Sequence, residues 1–221
     1  MTSQTTKPEC RLQSTRGGRH AFFRRFAAGI LAAVSLVVTA AALPRTASES
    51  RQEAEPAIIE PIAPWQGVGK AYRMTYEVGV PVNVLWRFKT DFDGEFLTSN
   101  RYIESHRLVH QKPGRVVTEN RYTYQPGLTF RWETLLFPSS RRMGYRLLNP
   151  KDCRQRFHFG TIQLIPRGDG TRVVQTAWFD FSGVWLWFHN PWGGGMTAFL
   201  RYNARWEQET ALRLKDRYGD P

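Results

Sequence analysis

The side chains that could carry acid–base chemistry lie on segments with the alternating pattern of β-strands. Glu119, Arg121 and Thr123 share one face of such a segment, and His158 lies on another. A carboxylate or an imidazole within reach of a bound ketone or enol could move a proton there. The same residues could instead form a buried ion pair, Arg121 with Glu119 or with Glu207, that holds a helix on a sheet. We favour this structural role because burial itself forces such pairing.

Other kinds of chemistry have little support in the sequence. His106 and His110 share a strand face, but no third ligand lies at a suitable spacing, so no metal site is expected. Gly193–Gly195 lacks the lysine and the hydroxyl residue of a phosphate-binding loop, so no nucleotide cofactor is expected. Cys10 and Cys153 lie on opposite sides of an apolar run, and Cys153 is expected to be a buried, unreactive thiol.

The residues between 70 and 182 predict an antiparallel sheet. Lys70–Gly79 has strand periodicity, and Pro81–Asn100 then contains two short helical stretches, the first begun by Pro81. Six more strand-like segments follow: Tyr102–Lys112, Arg115–Gln125, Leu128–Phe137, Met143–Leu148, Arg154–Arg167 and Arg172–Ser182. Turn signals such as Pro-Gly and Asp-Gly separate them, which predicts a meandering sheet of about seven strands.

A long amphipathic helix is predicted at the end of the chain, from Met196 to Tyr218. Phe199 and Trp206 belong to its apolar stripe. Asn203 and Glu207 lie beside that stripe, where burial would be costly unless a partner or a ligand meets them. The order of strand, short helices, six strands and long helix is that of a curved sheet around a C-terminal helix, with a cavity between the two.

This order and three sequence patterns resemble the SRPBCC superfamily, which includes START domains, polyketide cyclases and dehydrases, and birch-pollen allergens. The patterns are YEVGVPVNVLWRFKTDF, FGTIQLIPRGDGTRVVQTAWFDF and MTAFLRYNARWEQETALRLKDRYG. The resemblance covers residues 70–218 and implies an α+β helix-grip fold with a hydrophobic cavity between sheet and helix. It specifies function less closely, because the superfamily includes lipid carriers, hormone receptors, aromatase/cyclases and oxygenase domains.

Aromatic and polar residues on the strands and the last helix are expected to line such a cavity. The expected ligand contacts are Phe130, Trp132, Phe159, Phe179, Phe199, Asn203, Trp206 and Glu207. The segment Gly183–Gly195 carries Trp185, Trp187 and Trp192 before a glycine hinge, and it could form a lid or a tip that dips into a membrane. We favour the alternative, a hydrophobic clamp that seats the last helix.

The N-terminal part of the sequence is organised differently. Residues 1–25 are polar and basic, residues 26–43 are apolar and uncharged, and residues 44–69 have the Pro/Glu-rich composition of a linker before the domain at 70–221. A basic flank before the apolar run predicts a membrane anchor with its N-terminus inside. Alternatively, Ala40–Ala42 forms a signal-peptidase site and the segment is removed. The domain is expected outside the cytoplasm, at an inner or cell membrane or, after cleavage, periplasmic or secreted.

The formal net charge is +12, but the basic residues are scattered, which argues against a nucleic-acid partner. The leading hypothesis is a membrane-tethered or exported module that binds a lipid or another hydrophobic small molecule. The second is a cyclase- or dehydrase-like enzyme that uses Glu119, Arg121 or His158. The third is a structural envelope protein with a packed interior and the Trp185–Trp192 loop as its contact surface. The sequence does not indicate an oligomeric state.

Overall fold

The computed structural model describes residues 55–183 and 195–219, all within one of the two units of the chain, Ser50–Pro221. The expected membrane segment, residues 26–43, lies outside the described residues, and so do Trp185, Trp187 and Trp192. Within the described ranges, no helix combines the length and the apolar character needed to cross a membrane.

The described residues form one antiparallel sheet of eight strands. In chain order the strands are β1 (Ile58–Pro61), β2 (Lys70–Val78), β3 (Ile103–Lys112), β4 (Arg115–Tyr122), β5 (Thr129–Phe137), β6 (Arg142–Leu147), β7 (Gln155–Arg167) and β8 (Gly170–Phe181). Their order across the sheet is β1-β2-β8-β7-β6-β5-β4-β3. The last six strands therefore form a meander, as their turn signals predict, and β8 returns to pair with β2.

The described α-helices pack against this sheet or against one another. They are α1 (Val82–Thr90), α2 (Glu95–Thr98), α3 (Gly195–Arg213) and α4 (Lys215–Tyr218). Pro81 immediately precedes α1, where its fixed φ and missing N–H group cost the helix nothing. The predicted C-terminal helix is thus divided at Leu214, between α3 and α4.

The main core lies between β2, α1 and α3. Met74 and Val78 of β2, Phe88 of α1 and Ala204 of α3 are all buried there. Gln208 fixes α3 to the end of β2, because its Nε2 donates to the carbonyl oxygen of Glu77 at 2.7 Å and to that of Glu55 at 3.1 Å. Hydrogen bonds therefore anchor α3 to the end of β2 near the C-terminal end of the helix.

The expected architecture, a large antiparallel sheet with a long C-terminal helix, is confirmed. The sheet has one strand more than expected, because Ile58–Pro61, inside the expected linker at 44–69, pairs with β2 in register Ile58 to Thr75. Four residues that end in proline give too short a pattern to predict a strand, and the pairing depends on a partner elsewhere in the chain. Cys153 is fully buried, and burial and then Asp152 raise its pKa to about 11.

Candidate functional site

A cavity of about 290 Å³ lies between the sheet and α3. Its described wall is mostly aromatic and apolar, with nine neutral polar side chains between the rings. This volume is at the small end of the range for small-molecule sites. Protein cores normally pack without voids larger than a water molecule, so a space of this size is a specific feature of the fold.

Seven of the eight expected ligand contacts line this cavity. They are Phe130, Trp132, Phe179, Phe199, Asn203, Trp206 and Glu207. The strands β5 and β8 contribute the first three, and one face of α3 contributes the other four. The periodicities of α3 and β5 place six of these residues on the face of their element that meets the cavity. The pattern of β8 allows either face, so it does not by itself place Phe179.

Phe159 is the exception, because it lies on the outer face of the sheet. Its ring stacks on Trp178 with centroids 5.5 Å apart and meets the edge of Trp65 at 5.2 Å. Adjacent residues of a strand point to opposite faces, and it is His158 that faces the cavity. The expectation that Phe159 faces the cavity is therefore wrong, since β7 carries aromatic rings on both faces.

Glu119 and Arg121 also lie on the outer face of the sheet. The inner face of β4 carries Thr118, Asn120 and Tyr122, which line the cavity. In the sequence, both faces of this strand carry polar residues. The face with the charged residues lies on the outside of the sheet, because burying a charge costs more free energy than leaving it in water. Contrary to the expectation from the sequence, Glu119 and Arg121 therefore do not face the cavity.

The ion pairs of Glu119 also differ from the expected ones. Its carboxylate accepts hydrogen bonds from Arg107 and, at 2.7 Å, from Nη2 of Arg131, and these two bonds, that of Arg107 first, lower its pKa. Arg121 is exposed, with its Nε 3.5 Å from the hydroxyl of Thr129. Neither Arg121–Glu119 nor Arg121–Glu207 is among the ion pairs of the described residues.

His158 is enclosed by aromatic rings. Its centroid is 4.9 Å from that of Trp132, 5.5 Å from that of Phe179 and 6.3 Å from that of Tyr145. Burial lowers its pKa to about 4, so the imidazole is neutral at neutral pH. Nδ1 lies 3.1 Å from Oε1 of Gln155, and a carbonyl oxygen there requires the proton on Nδ1. Nε2 is then the acceptor of the ring.

Buried tyrosines, which the sequence analysis did not single out, supply further polar groups of the wall. Nε1 of Trp132 donates to the hydroxyl of Tyr122 at 3.0 Å, and Nε2 of Gln175 donates to that of Tyr145 at 3.2 Å. Burial raises the pKa of Tyr122, and it raises that of Tyr145 to about 12. These hydroxyls are therefore neutral groups that neighbouring side chains orient. Tyr122 lies on the face of β4 opposite Glu119 and Arg121. The strand alternation in the sequence could therefore have identified it as a cavity residue.

One ion pair interrupts this neutral wall. Lys89 of α1 donates through Nζ to Oε2 of Glu207 on α3, and their side chains are 1% and 5% exposed. In the described part of the lining, these are the only two side chains with a formal charge among Asp, Glu, Lys and Arg. Tyr76 lies beside them, and its burial, followed by the charge of Glu207, raises its pKa well above the usual value. Sequence analysis placed Glu207 but missed Lys89, because the partner lies on another element.

Asn203 is held in place by hydrogen bonds within the protein. Its Oδ1 accepts from Nδ2 of Asn100 at 2.9 Å, and its own Nδ2 donates to the carbonyl oxygen of Phe199. Tyr102 packs against Phe199 and Tyr202 beside this pair. Asn203 therefore joins α3 to the loop before β3. Both polar atoms of its side chain already have hydrogen-bond partners within the protein.

No group of three or more His, Cys, Asp or Glu side chains in the described ranges could hold a metal ion. His106 has both ring nitrogens in hydrogen bonds, Nδ1 with Oδ1 of Asn120 and Nε2 with the carbonyl oxygen of Phe92, each at 2.6 Å. It therefore joins β3 and β4 to the loop that follows α1.

Residues 71–218 match the model of the family described as polyketide cyclase / dehydrase and lipid transport. No curated protein matches the chain. A similar solved structure is the STAR-related lipid transfer protein (fragment 25–204) from Xanthomonas axonopodis, at 13% identity and a TM-score of 0.53, with 73% of this chain and 96% of that chain covered. At this identity the likeness concerns the fold.

Two enzymes are also among the similar structures. The Zhui aromatase/cyclase from Streptomyces sp. R1128 is 17% identical with a TM-score of 0.46, and 67% of this chain and 87% of that chain are covered. Norcoclaurine synthase from Thalictrum flavum is 12% identical with a TM-score of 0.47, with 71% and 88% covered.

Proposed function

This chain belongs to the polyketide cyclase / dehydrase and lipid transport family, and from this membership we propose that its domain is a binding module for a lipid or another hydrophobic small molecule. The observation that carries the proposal is the cavity of about 290 Å³ with its wall of mostly aromatic and apolar side chains. A purely structural role predicts a packed interior instead. The volume favours a single ligand of drug size over a two-chain lipid.

The titratable groups in the cavity favour binding over catalysis. Efficient general acids and bases have pKa values near the working pH. The pKa of His158 is about 4 and that of Tyr145 about 12, so the first is a weak base and the second a weak acid. Glu207 is held by Lys89, and Glu119 lies outside the cavity. These groups are better suited to orienting a ligand than to moving its protons.

The alternative function, a cyclase- or dehydrase-like enzyme, has one observation in its favour. The neutral imidazole of His158 faces the cavity, and its Nδ1 is oriented by Gln155. A substrate hydroxyl or enol could donate to Nε2. Loss of turnover in His158→Gln, with ligand binding retained, is the result that this alternative predicts.

We also propose that residues 26–43 tether the domain to a membrane or direct its export. The support is the sequence pattern, a basic segment before an apolar run without charges. The binding module would then act on the outer side of the membrane. A hydrophobic ligand would reach it from the lipid or from the surrounding space.

Native mass spectrometry of the full-length protein, purified from membranes, tests the binding proposal. Spectra are recorded before and after extraction with an organic solvent. We expect a discrete mass to disappear on extraction, and that mass identifies the ligand class. A protein that carries no ligand and takes up no hydrophobic probe would contradict the proposal. The same spectra show whether residues 1–42 are attached.

A further inference from the structure

Two buried oxygen atoms in the cavity wall lack hydrogen-bond donors. Among the residues that the structure describes, Oε1 of Glu207 and Oε1 of Gln125 are buried and accept no hydrogen bond. Both residues line the cavity. Leaving a buried acceptor unpaired is costly, and the cost is greater for a charged group. Native proteins carry few such groups, and each requires an explanation.

Glu207 is the stronger observation of the two. The residue is 4% exposed, and its other oxygen, Oε2, is already bound by Lys89. After burial, the charge of Glu207 and then a side-chain hydrogen bond to its carboxylate raise the pKa of Tyr76. Oε1 itself nevertheless accepts no hydrogen bond. Oε1 is therefore an acceptor in the wall of a largely apolar cavity.

The charge balance around this oxygen selects the kind of donor that suits it. Lys89 already neutralises the carboxylate, so a ligand ammonium group would meet the lysine as well as the glutamate. A second carboxylate would be repelled by Glu207 and would bring no hydrogen. A neutral hydroxyl supplies the missing donor at no electrostatic cost, and hydrogen bonds to charged groups are stronger than those between neutral groups.

We propose that the ligand carries a hydroxyl group on an apolar body and donates it to Oε1 of Glu207, beside the Lys89–Glu207 ion pair. Gln125 offers a second acceptor for a ligand with another donor. This inference rests on the proposed binding function and names the ligand class within it: a phenol or an alcohol rather than a hydrocarbon, an amine or a free acid.

Two probes of nearly the same shape, 2-naphthol and 2-methylnaphthalene, test the inference. They differ by a hydroxyl in place of a methyl group. The quantity of interest is the hydroxyl preference, defined as the Kd of 2-methylnaphthalene divided by that of 2-naphthol. It is measured by calorimetry on the full-length chain under one set of buffer conditions, so that the partition of each probe into detergent or lipid cancels between variants.

The informative variant replaces both partners of the ion pair, Lys89→Met with Glu207→Leu. Exchange of a whole buried ion pair for apolar residues is often neutral for stability, whereas removal of one partner is not. We expect its hydroxyl preference to fall by about tenfold or more, as for the loss of a hydrogen bond to a charged group. Lys89→Met with Glu207→Gln keeps an acceptor and should fall less. Glu119→Gln on the outer face is the matched control and should leave the preference unchanged.

The outcomes separate this inference from the proposed function. If both probes bind and the preference is the same in the wild type and in both double variants, the hydroxyl assignment is overturned and the binding module stands. If neither probe binds the wild-type chain, the binding function itself fails. If the leucine variant does not fold, Lys89→Met with Glu207→Met, which also removes the acceptor, takes its place, and a preference equal to that of the wild type would overturn the assignment.

Discussion

At the scale of single residues, burial sets the chemistry of the cavity. It keeps His158 and the tyrosines Tyr122 and Tyr145 neutral, and in the described part of the wall it leaves one ion pair, Lys89–Glu207, as the charged site. A buried ion pair adds little net stability over apolar residues of similar size. Because Oε1 of the same carboxylate has no hydrogen-bond donor, ligand recognition explains the pair better than folding does.

We expect His158 to make the domain less stable in mild acid. Its folded pKa of about 4 lies below the unfolded value of 6.5, so between these values the unfolded chain binds a proton that the folded chain does not. The stability contribution is complete above the unfolded pKa and is lost as the pH falls through this window, by about 2.5 kcal/mol at about pH 4.5.

Urea unfolding of the wild type and of His158→Gln measures this effect. Between about pH 7 and about pH 4.5 the wild type should lose about 2 kcal/mol more than the variant. An equal loss in both proteins would show that the imidazole is not the group responsible.

Truncation of Trp132 should weaken ligand binding, whereas truncation of Phe159 should leave it almost unchanged. Trp132 lines the cavity, whereas Phe159 packs outside it on Trp178. We expect Trp132→Ala to weaken binding of a hydrophobic probe by about tenfold or more, since a buried aromatic contact is worth more than about 1.4 kcal/mol. Phe159→Ala should change the Kd by less than about twofold. Titration of both variants with 2-naphthol decides, and equal weakening would place the ligand elsewhere.

At the scale of elements, the sequence predicted what depends on local pattern. Strands, turns and the C-terminal helix follow from periodicity and from Gly and Pro punctuation, and Phe199 and Trp206 were placed because one helical stripe is enough to locate them. The inward face of β4 and the orientation of Phe159 could not be predicted, because both faces of these strands carry suitable residues. Which face is covered depends on distant partners, such as Trp65 over Phe159.

The partner of Glu207 is a second case of this kind. Its position beside the apolar stripe of the helix predicted that a polar partner or a ligand must meet it. Lys89 lies 118 residues earlier, on α1, and no local pattern joins the two positions. The strand at Ile58–Pro61 was missed for the same reason, since its pairing with β2 is a long-range contact.

Within the sheet, Gly160 should be far less tolerant of a side chain than Gly144. A Cβ at Gly160 would collide with the carbonyl oxygen of Thr176 and the phenol of Tyr145, whereas a Cβ at Gly144 has its nearest neighbour at 4.0 Å. We expect Gly160→Ala to cost about 2 kcal/mol of unfolding free energy, as overpacking does, and Gly144→Ala to cost almost nothing.

Thermal or urea unfolding of the two alanine variants makes this comparison. Gly160→Ala should also weaken ligand binding, because Tyr145 lines the cavity and must move. Equal stability of the two variants would contradict the close packing of Tyr145 on β7.

At the scale of the whole molecule, the proposal joins a binding domain to an N-terminal membrane segment. Such a chain should behave as an integral membrane protein if the segment is retained, or as an exported protein without residues 1–42 if it is cleaved. We expect one of these two results from fractionation in carbonate at high pH combined with intact mass. An intact chain released into the cytoplasmic fraction would contradict the proposed location.

The attachment of α3 has a consequence for how occupancy can be observed. Gln208 anchors its C-terminal half to β2, while Met196, Phe199 and Leu200 near its start border the cavity. Local opening of a helix costs least where few groups hold it. Backbone amides of the first turns should therefore exchange with deuterium faster than those around Gln208. A bound ligand should slow exchange most in the first turns, which open most easily without it, so exchange rates along α3 report whether the cavity is filled.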